Sequence, residues 1–236
     1  MKNAQVNNIP KPLYIPLEWM TIEVRFPGDL RIEQWRAKLQ HNHEVKKRYP
    51  KLFVPRPNPG DPIQLIPIRF ADEAGRNALA VAINSIALTK MDYAGWQSTK
   101  EEFLIYWQKL VEELQIEQLN RVGVRFFNRF SSSMWETLAE EPSQPYIWPV
   151  YDEKCGFHEA RSQLIYNKVT LTVAIQLNRN ERNLVIDYDA AEEGASPEDL
   201  EDKLDHLHEV IEAHFLSLLK EEFAMKLKPE QGGNKV

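Results

Sequence analysis

Arg121-Val122-Gly123-Val124-Arg125-Phe126-Phe127-Asn128-Arg129-Phe130 is the stretch on which the fold turns. In an extended chain successive side chains point to opposite sides, so Val122, Val124, Phe126 and Phe130 share one face, while Arg121, Arg125, Phe127 and Arg129 share the other. One face suits a core and the other presents guanidinium groups. A sheet built from such strands is covered on one side only, which favours antiparallel pairing over a parallel sheet buried on both sides.

Upstream, 19–26 repeats the pattern, with Met20, Ile22, Val24 and Phe26 alternating against Thr21, Glu23 and Arg25. Pro27-Gly28 ends that strand. Asp29 then caps a predicted helix over 30–48 that buries Trp35 and Leu39 and gathers Lys46-Lys47-Arg48 in its last turn, where cations suit the helix dipole. The proline-rich 55–62 reads as a stiff connector. Apolar runs at 63–70 and 79–88 predict a hairpin turning through 72–76, with Pro67 marking an edge or a bulge. Ser98 and Glu101 form a capping-box pattern ahead of a helix whose stripe is Phe103, Trp107, Leu110, Val111 and Leu114.

Downstream, the pattern predicts a short helical piece over 134–140 and a loop over 141–158 that carries Tyr146, Trp148 and Tyr151. Strands follow at 162–166, 169–177 and 184–188, and a polar link at Glu192-Glu193-Gly194 leads to Ser196 as N-cap and Pro197 at the first position of a long helix ending before Pro229. The order predicts an α+β class: an antiparallel-rich sheet with long helices packed on one face. It suggests one domain over 12–228, with 12–118 and 119–228 as candidate β-α-β-β-α halves, and a disordered tail at 229–236.

At 236 residues, 43% hydrophobic and 27% charged, the composition is that of an ordinary soluble globular protein, and the apolar runs are too short to cross a bilayer. Met1–Lys11 lacks the features of a secretory signal, and a single cysteine, Cys155, allows no internal disulfide, so a reducing cytoplasm is the expected compartment. The net charge of −6 is uneven: from Asp187 onward there are 14 acids against 5 bases, leaving 21 acids against 24 bases before it. A uniformly basic nucleic-acid binder is therefore disfavoured, while a basic face on the first part stays open.

Four blocks resemble a known family: Ile15-Pro16-Leu17-Glu18 running into Ile22-Glu23-Val24-Arg25-Phe26, then Tyr93-Ala94-Gly95-Trp96, then residues 121–130, then Ile186-Asp187-Tyr188 before a long terminal helix. In their order they are similar to a sporadically distributed bacterial family of uncharacterised proteins of about this length. The resemblance implies an accessory role, such as defence against phage or mobile elements, and it carries over no catalytic residue or cofactor.

Several residue groups invite chemical readings. His41-Asn42-His43 spells a nuclease motif but falls late in a predicted amphipathic helix, away from the context that motif needs. Asp205, His208 and Glu212 fall at i, i+3 and i+7 on the last helix, so they are candidate metal ligands for a hydrolase; the competing reading is a solvated shoulder beside the core stripe. Cys155 and His158 lack an orienting group and an oxyanion site for thiol catalysis. No phosphate-binding glycine loop, Gly-x-Ser-x-Gly elbow or His-Glu-x-x-His sequence is present. No cofactor is implied.

The strongest candidate is the arginine-bearing sheet face: Arg25, Arg69, Arg121, Arg125, Phe127 and Arg129. The expected function is a non-catalytic binding or protein-interaction module, partnered by another protein or by self-association, with Tyr146, Trp148 and Tyr151 as an interface loop. The alternatives are an RNA- or DNA-binding component that uses the arginine stripe, a metal-dependent hydrolase, and a plain solvated face whose charges pair across strands, such as Glu23 with a neighbouring arginine.

Overall fold

The structure, a computed structural model, describes residues 16–54, 67–131, 134, 138, 156–178, 180–181 and 183–227, apart from the side chain of His158. Among the described residues fourteen elements follow in chain order: β1 (Leu17–Arg25), α1 (Ile32–His41), α2 (His43–Arg48), β2 (Lys51–Phe53), β3 (Ile68–Ala71), β4 (Asn77–Ala82), β5 (Ser85–Lys90), α3 (Trp96–Leu114), β6 (Arg121–Phe130), β7 (Phe157–Tyr166), β8 (Val169–Asn178), β9 (Asn183–Glu193), α4 (Leu200–Leu216) and α5 (Glu221–Leu227).

The described strands form one nine-stranded sheet in the order β2-β3-β4-β5-β1-β6-β9-β8-β7, with every pair antiparallel. This is the α+β class expected from the alternation. Met20, Ile22 and Val24 of β1, Val122 and Val124 of β6, Leu171, Val173 and Ile175 of β8, and Ile186 and Tyr188 of β9 are buried on one side. There they join Phe103, Trp107 and Leu110 of α3 and Leu204, Leu207 and Ile211 of α4 in a continuous core. At about 1.5–3 kcal/mol for each large apolar side chain, burial on this side dominates the favourable energy and fixes which face of each strand points inward.

Apart from β2 at one edge, the sheet order is symmetric about its β1–β6 pair. β1 and β6 lie side by side at the middle, and each is flanked by a three-stranded meander, β5-β4-β3 on one side and β9-β8-β7 on the other. Each meander is followed by a long helix, α3 or α4. Among the described residues each half runs strand, meander, helix, and α1, α2 and β2 stand in the first connection.

Local chemistry moved several boundaries. The helix expected over 30–48 is two helices, because Asn42 adopts an extended conformation and its side chain accepts from the backbone N–H groups of Glu44 and Val45, capping α2. The run 79–88 is itself a hairpin: Ala82 pairs with Ser85, and the turn at Ile83-Asn84 is pinned where its carbonyls accept from Asp29 N and Phe26 N. α3 begins at Trp96 rather than behind a Ser98–Glu101 box, since Gly95, at φ +123°, supplies the turn and Thr99 Oγ1 donates back to its carbonyl. β9 runs on to Glu193, through the segment read as a link.

Ser196 and Pro197 precede the start of α4 by a turn, and that helix ends at Leu216, short of Leu219, which bridges Leu138. Of the short helix expected over 134–140 only Met134 and Leu138 are among the described residues. The connector at 55–62, the loop residues Tyr146, Trp148 and Tyr151, Cys155 and the tail at 229–236 lie outside them.

Candidate functional site

The helix-free face of the sheet carries Arg25, Arg69, Arg121, Arg125, Phe127 and Arg129, as the alternation requires once the apolar side is turned to the helices. Five arginines surround a depression of about 600 Å³ over the central strands: Arg25, Arg69, Arg76, Arg121 and Arg125. Its floor contains Thr21, Thr89 and Gly123, with the two threonine hydroxyls hydrogen-bonded at 2.9 Å. Glu18, Glu23 and Asp189 also line it, so the lining carries two more positive than negative charges.

Register dictates how these charges meet. Arg25 lies directly opposite Arg121, a repulsive pairing, and Glu23 sits between them and accepts from both, at 3.0 Å from Arg25 Nε and 2.8 Å from Arg121 Nη1. Arg121 Nη2 also reaches along β6 to donate to Asp189 of β9 at 2.6 Å. Its guanidinium passes over Gly123, where an added Cβ would lie 2.9 Å from Arg121 Cζ, so the missing side chain makes the path. Arg125 Nε donates to Asp187 at 2.8 Å, and this bond raises the pKa of the guanidinium above its ordinary value. Arg129 Nε donates to Glu18 at 2.7 Å, and Arg76 pairs with Asp92 at 2.7 Å. Arg69 is exposed and has no carboxylate partner among the described residues.

The aromatics are spoken for as well. Trp19 and Phe127 stack at 5.1 Å between ring centres and 7° between planes. Arg125 lies 5.1 Å from the Trp19 centroid and Arg129 lies 5.7 Å from that of Phe127. The ladder Arg125-Trp19-Phe127-Arg129 thus occupies both ring systems. An open base-stacking platform of the kind used for single-stranded nucleic acid needs free ring faces, which this ladder does not present.

The other candidates have other partners. Trp96 Nε1 and Lys100 Nζ donate to Asp205 at 2.6 and 2.7 Å, and although burial alone would raise its pKa, these bonds hold that carboxyl below its usual value. His208 stacks flat on Trp96 at 4.4 Å and meets the Phe126 ring edge-on at 5.6 Å. Burial pushes its pKa down to about 4. Glu212 lies with it at a cavity of about 110 Å³ that Tyr93 and Phe215 also line. Asp205 and His208 therefore join α4 to α3 and β6, and among the described residues no group of three His, Cys, Asp or Glu side chains gathers to hold a metal. His41-Asn42-His43 marks the break between α1 and α2, and His206 is exposed. No described helix is long and apolar enough to cross a membrane.

Compared with protein-family models, curated proteins and solved structures, the chain finds no match in any of the three. Sequence reading found the arginines and Phe127 but missed Trp19, Glu18, Arg76, Asp187 and Asp189. The carboxylates of β9 carry a signal in their two-residue spacing, yet their partners depend on the β6–β9 register, which alternation does not specify.

Proposed function

We propose that the chain is a non-catalytic binding module that docks an acidic segment of a protein partner in the depression on the helix-free sheet face. The observation that supports this reading is a concavity lined by five arginines, of which Arg25, Arg76, Arg121 and Arg125 are fixed by carboxylate partners and Arg69 is exposed with no carboxylate partner among the described residues. Preorganised guanidinium groups lose little freedom when they bind, and Arg69 adds a cation whose donors are open to a carboxylate. The covered ring faces of Trp19 and Phe127 weigh against the nucleic-acid alternative. The resemblance of the four sequence blocks supports placing such a module in a bacterial accessory system, with defence against phage as one example.

Fluorescence anisotropy with two probes tests the reading: a labelled glutamate-rich decapeptide and a labelled oligothymidine of equal charge. The peptide is expected to bind at low salt, and Arg69→Glu with Arg76→Glu to raise its dissociation constant at least about tenfold. Absence of peptide binding overturns the proposal. So does tighter binding of the oligothymidine that the same pair of substitutions abolishes, which would instead favour a nucleic-acid ligand.

A further inference from the structure

Between α4 and the central strands, the cavity of about 110 Å³ beside Glu212 is walled mainly by rings and aliphatic side chains. Its lining residues are all described, and their hydrogen-bond, ionic and ring partners are described as well. Tyr93 meets Phe126 edge-on at 5.9 Å and 64°, and Phe126 meets His208 at 5.6 Å and 70°. These three rings therefore stand as steeply angled walls rather than as a stack. Phe215 adds a fourth ring, and Trp96, stacked on His208 at 4.4 Å, fixes that wall.

Glu212 supplies the charge. Burial keeps His208 neutral at pH 7, with its pKa near 4, and burial together with the Glu212 carboxylate pushes the Tyr93 hydroxyl well above its ordinary value. With no Lys, Arg or other acid in the lining, the cavity carries one net negative charge. Carboxylates set into the fold at other places have cations against them: Glu102 has Lys90 and Arg48, Glu192 has Lys203, Asp187 has Arg125 and Asp205 has Lys100. Half-buried Glu212 makes no hydrogen bond or ion pair among the described residues. A cation in the cavity would supply the counter-charge that partial withdrawal from water calls for.

The rings select the kind of cation. A metal ion requires several oxygen ligands, and a primary ammonium would surrender strong hydration to a mostly apolar wall. A quaternary ammonium makes neither demand and is drawn to aromatic faces as well as to a carboxylate. Since a cavity of ~150 Å³ holds a benzene ring, this one takes roughly four or five heavy atoms, the size of a trimethylammonium head. We propose that the cavity between α4, β1 and β6 binds a quaternary ammonium head, with Glu212 as its counter-ion and Tyr93, Phe126 and Phe215 as ring walls. The site lies on the helix side of the sheet and is separate from the arginine-lined depression.

Nitrogen–proton correlation spectra of the full chain, titrated with choline and with dimethylbutanol, in which carbon replaces the choline nitrogen, test the proposal. Choline is expected to give saturable shifts at Tyr93, Phe126 and Glu212, and the uncharged alcohol to bind at least about tenfold more weakly. Glu212→Gln keeps the shape of the side chain and should raise the choline dissociation constant at least about tenfold while leaving that of the alcohol unchanged. A short peptide with one trimethyllysine carries the same head: tighter binding of the peptide means that the head arrives on a protein, and tighter binding of choline that it arrives on a small molecule. No saturable binding of either cation, equal affinity for choline and the alcohol, or indifference of choline to Glu212→Gln overturns the proposal. The comparison of choline with the alcohol uses the parent chain, so it holds whether or not a variant folds.

Discussion

Gly123 shows how one missing methyl group organises the helix-free face. Its strand neighbours are Glu23 on β1 and Ala191 on β9, and the Arg121 guanidinium crosses the gap above it to reach both Glu23 and Asp189. Gly123→Ala places a Cβ in that path, so Arg121 must swing away and give up both bonds. These bonds are partly exposed, and their loss is expected to outweigh the entropic benefit of replacing glycine, for a net cost of about 1 kcal/mol. In an Arg121→Ala background the same substitution should cost nothing or stabilise slightly. Urea unfolding of the four proteins of this double-mutant cycle measures the coupling, and additive effects would show that the guanidinium is not held over position 123.

At the scale of elements, α3 and α4 are joined by a mixed aromatic and ionic contact. Trp96 on α3 stacks on His208 of α4 and donates to Asp205, while Lys100, buried on α3, pairs with Asp205 and Glu201 at 2.7 and 2.9 Å. Burial holds the folded-state pKa of His208 near 4, against 6.5 for an ordinary histidine. Between these values the unfolded chain binds more protons than the folded one. The contribution of neutral His208 is therefore complete above pH 6.5 and is lost as the pH falls towards 4, by about 3 kcal/mol at most. His208→Phe keeps the ring and removes the titration, so it should flatten the stability profile in this window relative to the parent chain. Chemical unfolding from pH 7 to pH 4 reads the difference, and parallel profiles would place the pH sensitivity elsewhere.

A second ionic cluster works between elements in the same way. Glu102 of α3 accepts from Tyr49, beyond the end of α2, and pairs with Lys90 of β5 at 2.8 Å and Arg48 of α2 at 3.1 Å. Burial, together with that carboxylate, pushes the Tyr49 hydroxyl far above its ordinary pKa, so it remains a donor at any physiological pH.

For the whole molecule the important seam is β1–β6. It joins the halves over eight residue pairs and buries Ile22 and Val24 beside Val124 and Val122 at 0% exposure. Separating residues 1–118 from 119–236 would expose these side chains and a full row of backbone donors and acceptors on each strand. Neither fragment is expected to fold alone, while an equimolar mixture should recover native-like amide dispersion in a nitrogen–proton correlation spectrum. A dispersed spectrum from one isolated half would show that the halves are independent domains.

The chain's own alternation of apolar and polar residues determined the class of fold, the inward face of each long strand and the placement of Arg25, Arg121, Arg125 and Arg129 on the helix-free side. Local periodicity suffices for these because the side-chain period of a strand is a property of the backbone. Short-range punctuation was less informative. Asn42 breaks a helix through a local cap, its side chain accepting from Glu44 N and Val45 N, whereas the turn at Ile83-Asn84 is held by Phe26 N and Asp29 N from far along the chain. Only the assembled sheet decided which carboxylate neutralises which arginine, that Trp19 and Phe127 cover each other, and that Asp205 and His208 are packing residues. Those outcomes depend on strand order and register between segments more than a hundred residues apart in sequence, and long-range pairing is set by the fit of the whole core rather than by any local stretch.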